Sequence, residues 1–211
     1  SLVRLPPDWS LRWEGKQLLE CAGHLLFTSG QYSLRLSDIA SVKVGAVSGA
    51  DDLYGDPVHG TRDFVCSTTA KSGETRRMIW SPEAPHPALL PHKERLIARR
   101  IRCFDESNWW QWGRGYSQSN RHRIYVNTKT RNLNPFFEHD CPNYDGSVMA
   151  IFPHEPVVDT SALCQALNAV DWEELGFVCD GRYLFSQRSL ENAPLPDSFR
   201  RFLQPLQAEA A

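Results

Sequence analysis

The 211-residue sequence predicts an α+β fold: a single domain of mixed short strands with a few helices. Short runs rich in valine, isoleucine and aromatics, several alternating apolar and polar, are punctuated by glycine and proline. Few stretches show helical spacing. There is no internal repeat, low-complexity tract or linker. Hydrophobic residues at 41% and charged residues at 23% suffice for a packed core and exclude extended disorder. No apolar run approaches the ~18 residues of a membrane span, so no membrane association is expected.

Residues 1–41 read as a lead-in that packs on the domain or on a separate catalytic domain. They carry Trp9, Trp13, Pro6, Pro7 and strand character at 24–28. Ile39 to Gly49 is valine-rich and alternating, hence a strand, and it ends in a Gly-Ala-Asp-Asp turn. Short strands are expected at 63–66 and 76–80 around the Lys71-Ser72-Gly73-Glu74 turn. Four prolines make 81–91 a loop. Leu96, Ile97, Ile101 and Phe104 recur at helical spacing over 93–104, with Arg95, Arg99 and Arg102 on another face. The aromatic, glycine-bearing 108–116 is irregular. Strands at 123–127 and 147–152 follow, then a helix over 160–170 capped by Asp159 or Thr160. Strands at 176–179 and 183–185 and a short helix at 198–203 close the domain, leaving 204–211 as a tail.

Six widely spaced cysteines without a C-x-x-C pair suggest free thiols in a reducing cytoplasm. Cys21 with His24 and His139 with Cys141 have zinc-ligand chemistry but not the spacing of paired half-sites, so no metal is expected. Asp8 with Glu14-Gly15-Lys16 resembles a nuclease metal site. The chain begins without methionine or a signal-peptide pattern, as a piece of a longer chain would.

The formal charge of −2 conceals an asymmetry. Between Lys71 and Arg131 stand 13 lysines and arginines against 5 acids, whereas the rest of the chain holds 10 basic and 20 acidic residues. A mostly arginine-based positive segment suits a polyanion, because the guanidinium fork matches phosphates and guanine edges. Trp109, Trp110 and Trp112 beside Arg114 could stack on bases or fill the core, and the core is favoured for one or two of them. His122 and His139 read as loop or packing residues.

Signatures of phosphate loops, dinucleotide folds, zinc proteases and nucleophile elbows do not occur in the sequence. Asn134-Pro135-Phe136-Phe137 is similar to the Asn-Pro-Pro-aromatic loop of amino-methyltransferases but lacks its second proline, and a strand end followed by packed aromatics is the preferred reading. Two further segments form a pair. The stretch from Val42-Lys43-Val44-Gly45-Ala46-Val47-Ser48-Gly49 to Ala50-Asp51-Asp52-Leu53 resembles the entry to the target-recognition domain of γ-class adenine-N6 DNA methyltransferases. Asp180 to Gln187, followed by Leu190-Glu191-Asn192-Ala193-Pro194-Leu195-Pro196, is similar to that domain's closing strand and exit.

The resemblance covers about residues 42–203 and implies a target-recognition-domain-like fold. It also implies sequence-specific binding of double-stranded DNA within a restriction–modification enzyme. The family's Phe-x-Gly-x-Gly cofactor motif is missing here. S-adenosylmethionine is therefore implied for the parent enzyme and no cofactor for this chain, with an N-terminal methyltransferase domain of the same parent as partner. No residue here is expected to be catalytic. Lys71, Arg76, Arg77, Lys129 and Arg131 are the expected phosphate contacts, and Arg114, Arg121, Arg123 and Asn127 the expected base readers. Two other readings stand beside this one: a protein-interaction or specificity module of a restriction–modification assembly, and a degenerate nuclease.

Overall fold

The computed structural model describes residues 15–21, 24–28 and 32–203. It is a mixed α+β domain of short strands and few helices, as the composition predicts. Strands β1 (Gln17–Cys21) and β2 (His24–Thr28) make a hairpin. Lys16 ties it to the body through a 3.0 Å ion pair with Glu174. Strand β3 (Tyr32–Arg35), one-turn helix α1 (Leu36–Ile39) and strand β4 (Ala40–Val44) follow.

The next segment holds α2 (Asp51–Tyr54), β5 (Arg62–Phe64), α3 (Thr69–Ser72) and β6 (Arg76–Met78). A 3-10 turn (Pro87–His92) then leads into α4 (Lys93–Ile97). Beyond it come β7 (Ile124–Asn127), β8 (Lys129–Thr130), β9 (Phe136–Phe137) and β10 (Val148–Pro153). The chain continues through α5 (Thr160–Asn168), β11 (Val178–Cys179), β12 (Arg182–Leu184) and α6 (Gln187–Glu191). It ends with β13 (Pro194–Pro196) and a 3-10 turn (Asp197–Phe202).

An antiparallel sheet of order β4-β10-β7-β9 is the spine. All six positions of β10 and all four of β7 are buried, so both faces of these inner strands are covered. The two-residue period of a strand then divides them between two cores. Ile124, Val126, Met149 and Ile151 face α5, Trp172 and the C-terminal turns. Tyr125, Val148, Ala150 and Phe152 face Val65 and Tyr144. A third core, built on Tyr54, Phe64, Met78, Leu89, Leu96, Trp109 and Trp112, lies within the 50–112 segment. At the open edge of β4, Gln187 of α6 donates through Nε2 to the Val42 carbonyl at 3.0 Å, occupying an acceptor that an edge strand would expose.

The strand expected from Ile39 to Gly49 is shorter than its alternation suggests, because it bends at Gly45. A Cβ there would overlap the Asp145 carbonyl, so only glycine permits this approach. Past the bend, Val47 and Arg114 exchange backbone hydrogen bonds at 2.9 and 3.1 Å. Ser48 is fully buried, and its Oγ accepts from Ala50 N–H at 3.1 Å and donates to Asp51. Gly49 takes a φ of +76°, which suits glycine best. The entry motif is thus a joint between the sheet and the third core.

The helix expected over 93–104 is a single short turn, and its predecessor is 3-10 rather than loop. Arg99 explains the early end. Its guanidinium turns back to the carbonyls of Leu96, Ser48, Trp109 and Gln111. It also lies over the Phe104 ring at 3.9 Å from the centroid. With all three guanidinium nitrogens engaged inside the protein, Arg99 belongs to the core rather than to a basic outer face.

Candidate nucleic-acid interface

Three of the expected phosphate contacts stand on α3, on β8 and on the loop after β8. Asn127 at the end of β7 donates through Nδ2 to the Ser67 carbonyl at 2.8 Å, placing the start of α3 beside the strand. The other end of α3 is tied by His139, whose Nε2 lies 3.2 Å from the Gly73 carbonyl. Cys141 N–H donates to His139 Nδ1 at 2.9 Å, so Nε2 carries the proton and the ring serves as a brace. Lys71 stands on α3, Lys129 on β8 and Arg131 on the loop after it, all exposed. Among the described residues none of these three side chains has a hydrogen bond or ion pair. Their charge is directed at solvent and is free to meet an anion.

The other two expected phosphate contacts are engaged. Arg77 pairs with Asp63 at 3.3 Å in an exposed bridge, which a stronger anion can displace at little cost. Arg76, half-buried, donates through Nη2 to the Asp51 carbonyl at 2.8 Å.

The four expected base readers divide more sharply. Arg114 is exposed, although its Nε and Nη2 donate to the Gly45 carbonyl at 3.3 and 3.1 Å. This bond fixes the side chain against the joint, and Nη1 has no hydrogen-bond partner among the described residues. Arg121 is exposed and donates through Nη2 to the carbonyls of Pro153 and His154. Arg123 is only 7% exposed. It donates to the carbonyls of Arg121 and Pro142, each at 3.0 Å, and of Ser119, and stacks on Phe152 at 4.9 Å. Asn127 is 6% exposed and spends its amide on Ser67. The last two are therefore largely buried and hold the fold that presents the others, Arg123 showing only where it lines the cleft beside Arg121.

A cleft of about 270 Å³ beside Arg121 is lined also by His122, Glu138, His139 and Asp140, with both signs of charge. Trp109 and Trp112 are core residues at 3% and 7% exposure, and the half-buried Trp110 packs edge-on against Trp109. Asn134 to Phe137 is a strand entry. Phe136 is buried against Trp172 and Phe185, ring centroids 5.1 and 5.7 Å away, which leaves no flipped-base pocket there.

Among the described residues no group of three or more His, Cys, Asp or Glu could hold a metal ion. The thiol of Cys141 instead donates to the Asp63 carbonyl at 3.2 Å, and burial pushes its pKa up. The nuclease-like Asp8 and Glu14, like Trp9 and Trp13, lie outside the described residues. The five cysteines whose side chains are described are free. No helix among the described residues is long and apolar enough to cross a membrane.

Sequence reasoning does not single out Leu133, at the tip of the loop between β8 and β9 and 78% exposed, because nothing local distinguishes it from a core leucine. Nor does it find Asn168, whose amide clamps Phe136 in both directions, N–H to Oδ1 at 3.0 Å and Nδ2 to the carbonyl at 2.9 Å.

No protein family matches the chain by sequence, and no curated protein does so either. By structure it is similar to the type IIL restriction-modification enzyme MmeI, solved in complex with DNA, at a TM-score of 0.52 and 13% sequence identity. The match covers 77% of this chain and 26% of that one, so this chain spans about a quarter of the enzyme's length. The α+β fold described here is thus one that also occurs as a part of a restriction-modification enzyme.

Proposed function

We propose that this chain is the DNA target-recognition part of a site-specific adenine-N6 methyltransferase of the restriction–modification type, with duplex DNA as its partner. The observation that carries the DNA-binding reading is the set of exposed, unpaired cations Lys71 on α3, Lys129 on β8 and Arg131 on the loop after it. The fold likeness to an enzyme solved with DNA supports it. In this reading the three cations, with Arg77 after release from Asp63 and the outer edge of Arg76, hold phosphates and set the register. Arg114 and Arg121, each fixed on one side by backbone carbonyls and open on the other, read base edges. Arg123 and Asn127 act by keeping that surface in place. The methyl transfer itself, to a base turned out of the duplex, belongs to the N-terminal domain of the parent.

We assign S-adenosylmethionine to the parent enzyme and not to this chain. Gly45 and Gly49, the glycines of the entry motif, pack against protein atoms at the joint. No step is assigned to that cofactor in this chain.

The test is the salt dependence of binding to short duplexes. Each phosphate contact steepens the fall of log K with log salt by about 0.9, so the five contacts give a slope of about −4.5. The triple variant Lys71→Ala, Lys129→Ala, Arg131→Ala is expected to flatten the slope to about −2, the share of Arg76 and Arg77, while melting like the parent chain. A triple variant that keeps the slope overturns this assignment.

A further inference from the structure

We infer that Leu133 is a wedge that enters the base stack of duplex DNA and unwinds it where the chain binds. The inference rests on the DNA-binding reading above and adds a mechanical action to it.

Leu133 projects from a loop whose shape is fixed at both ends. Asn132 N–H donates to Thr130 Oγ1 at 3.0 Å, and Asn134 N–H donates to Asn132 Oδ1 at 3.1 Å, making an Asx turn under the leucine. Pro135 is buried, and Phe136 is clamped to α5 by the two hydrogen bonds of Asn168. The loop therefore holds its tip out instead of letting the leucine fold back onto the core.

Among the other exposed apolar side chains, Val58, Val157 and Ile101 have different surroundings. Val58 follows Asp56, and Val157 lies between Glu155 and Asp159, where a polyanion is repelled. Ile101 has arginines on both sides, but its side chain packs against the bare faces of Gly49 and Gly113. Leu133 combines three properties. It is 78% exposed, its support is rigid, and the stretch from Lys129 to Asn134 contains no acid and two unpaired cations. Leu184, 40% exposed, faces outward in register with Lys129 on the neighbouring strand and extends the apolar surface at the base of the loop. Cations on the phosphates beside an apolar side chain of this size constitute a wedge that partly unstacks one base step.

The experiment uses the 211-residue chain and two probes. Anisotropy of a labelled short duplex reports binding, and relaxation of a closed circular plasmid by a topoisomerase in the presence of the chain reports unwinding. The parent chain is expected to bind and to shift the topoisomer distribution. Leu133→Ala is expected to bind with affinity reduced less than about tenfold and an unchanged salt slope, since the phosphate contacts remain, and to lose the topoisomer shift. Leu133→Phe is expected to retain it. Binding by the parent without a shift, or a shift that survives in Leu133→Ala, overturns the wedge alone; the leucine then faces something other than DNA. Absence of duplex binding by the parent overturns the DNA reading itself, and the wedge with it.

Discussion

Arg123 and Arg131 belong to one basic stretch, yet one is a core brace and the other a free cation. The difference comes from what surrounds each guanidinium. Arg123 is enclosed by three backbone carbonyls and the Phe152 ring, so its charge is spent on groups that would otherwise be buried without donors. Replacing it with alanine leaves those carbonyls unsatisfied and opens a void. Arg123→Ala is therefore expected to cost about 2–4 kcal/mol in urea unfolding. In the fraction that remains folded, discrimination between DNA sequences should not change. Normal stability with weakened discrimination would instead return Arg123 to base reading.

At the scale of elements, the inner strands are legible because their pattern has one cause. β7 and β10 lie between two cores, and their apolar residues satisfy both faces. Helix α5 is legible for the same kind of reason. Leu163, Cys164 and Leu167 face the core at helical spacing, and Asp159 caps it by accepting from Ala162 N–H at 3.1 Å. The end of α4 is not legible, because it depends on Arg99 meeting Ser48, a residue remote in sequence. The exposed cations and Leu133 share that property: sequence shows the residue type, and only tertiary packing shows which side is left open. Asp159→Ala should lower stability by about 1 kcal/mol. Because α5 also clamps the base of the Leu133 loop through Asn168, this variant should weaken topoisomer unwinding before it weakens duplex binding.

At the scale of the molecule, the cores are coupled through the joint, and Asp145 is its centre. Its backbone N–H donates to the Val65 carbonyl at 3.0 Å, its own carbonyl lies against Gly45, and its side chain accepts from Ser147 N–H at 2.9 Å and from the Ser147 hydroxyl. Burial, at 4% exposure, pushes its carboxyl up from the ordinary carboxylate value, and Ser147 only partly opposes this. The sign follows directly. A raised folded-state pKa means that the folded form disfavours the ionised carboxylate. The penalty is absent where both states are protonated. It grows as pH rises past the unfolded value of 3.8 and is complete above the folded value. Asp56 works in the opposite sense. Backbone N–H groups and the His59 ring hold it at about 2, so the stability it contributes is present above the unfolded value and is lost as pH falls toward about 2. Asp145→Asn keeps the Oδ1 acceptor that Ser147 uses and removes the charge. Its urea midpoint should exceed that of the parent chain at about pH 7, and the two should converge toward about pH 4. If asparagine destabilises equally at both pH values, the joint depends on the carboxylate itself rather than on a buried neutral acid.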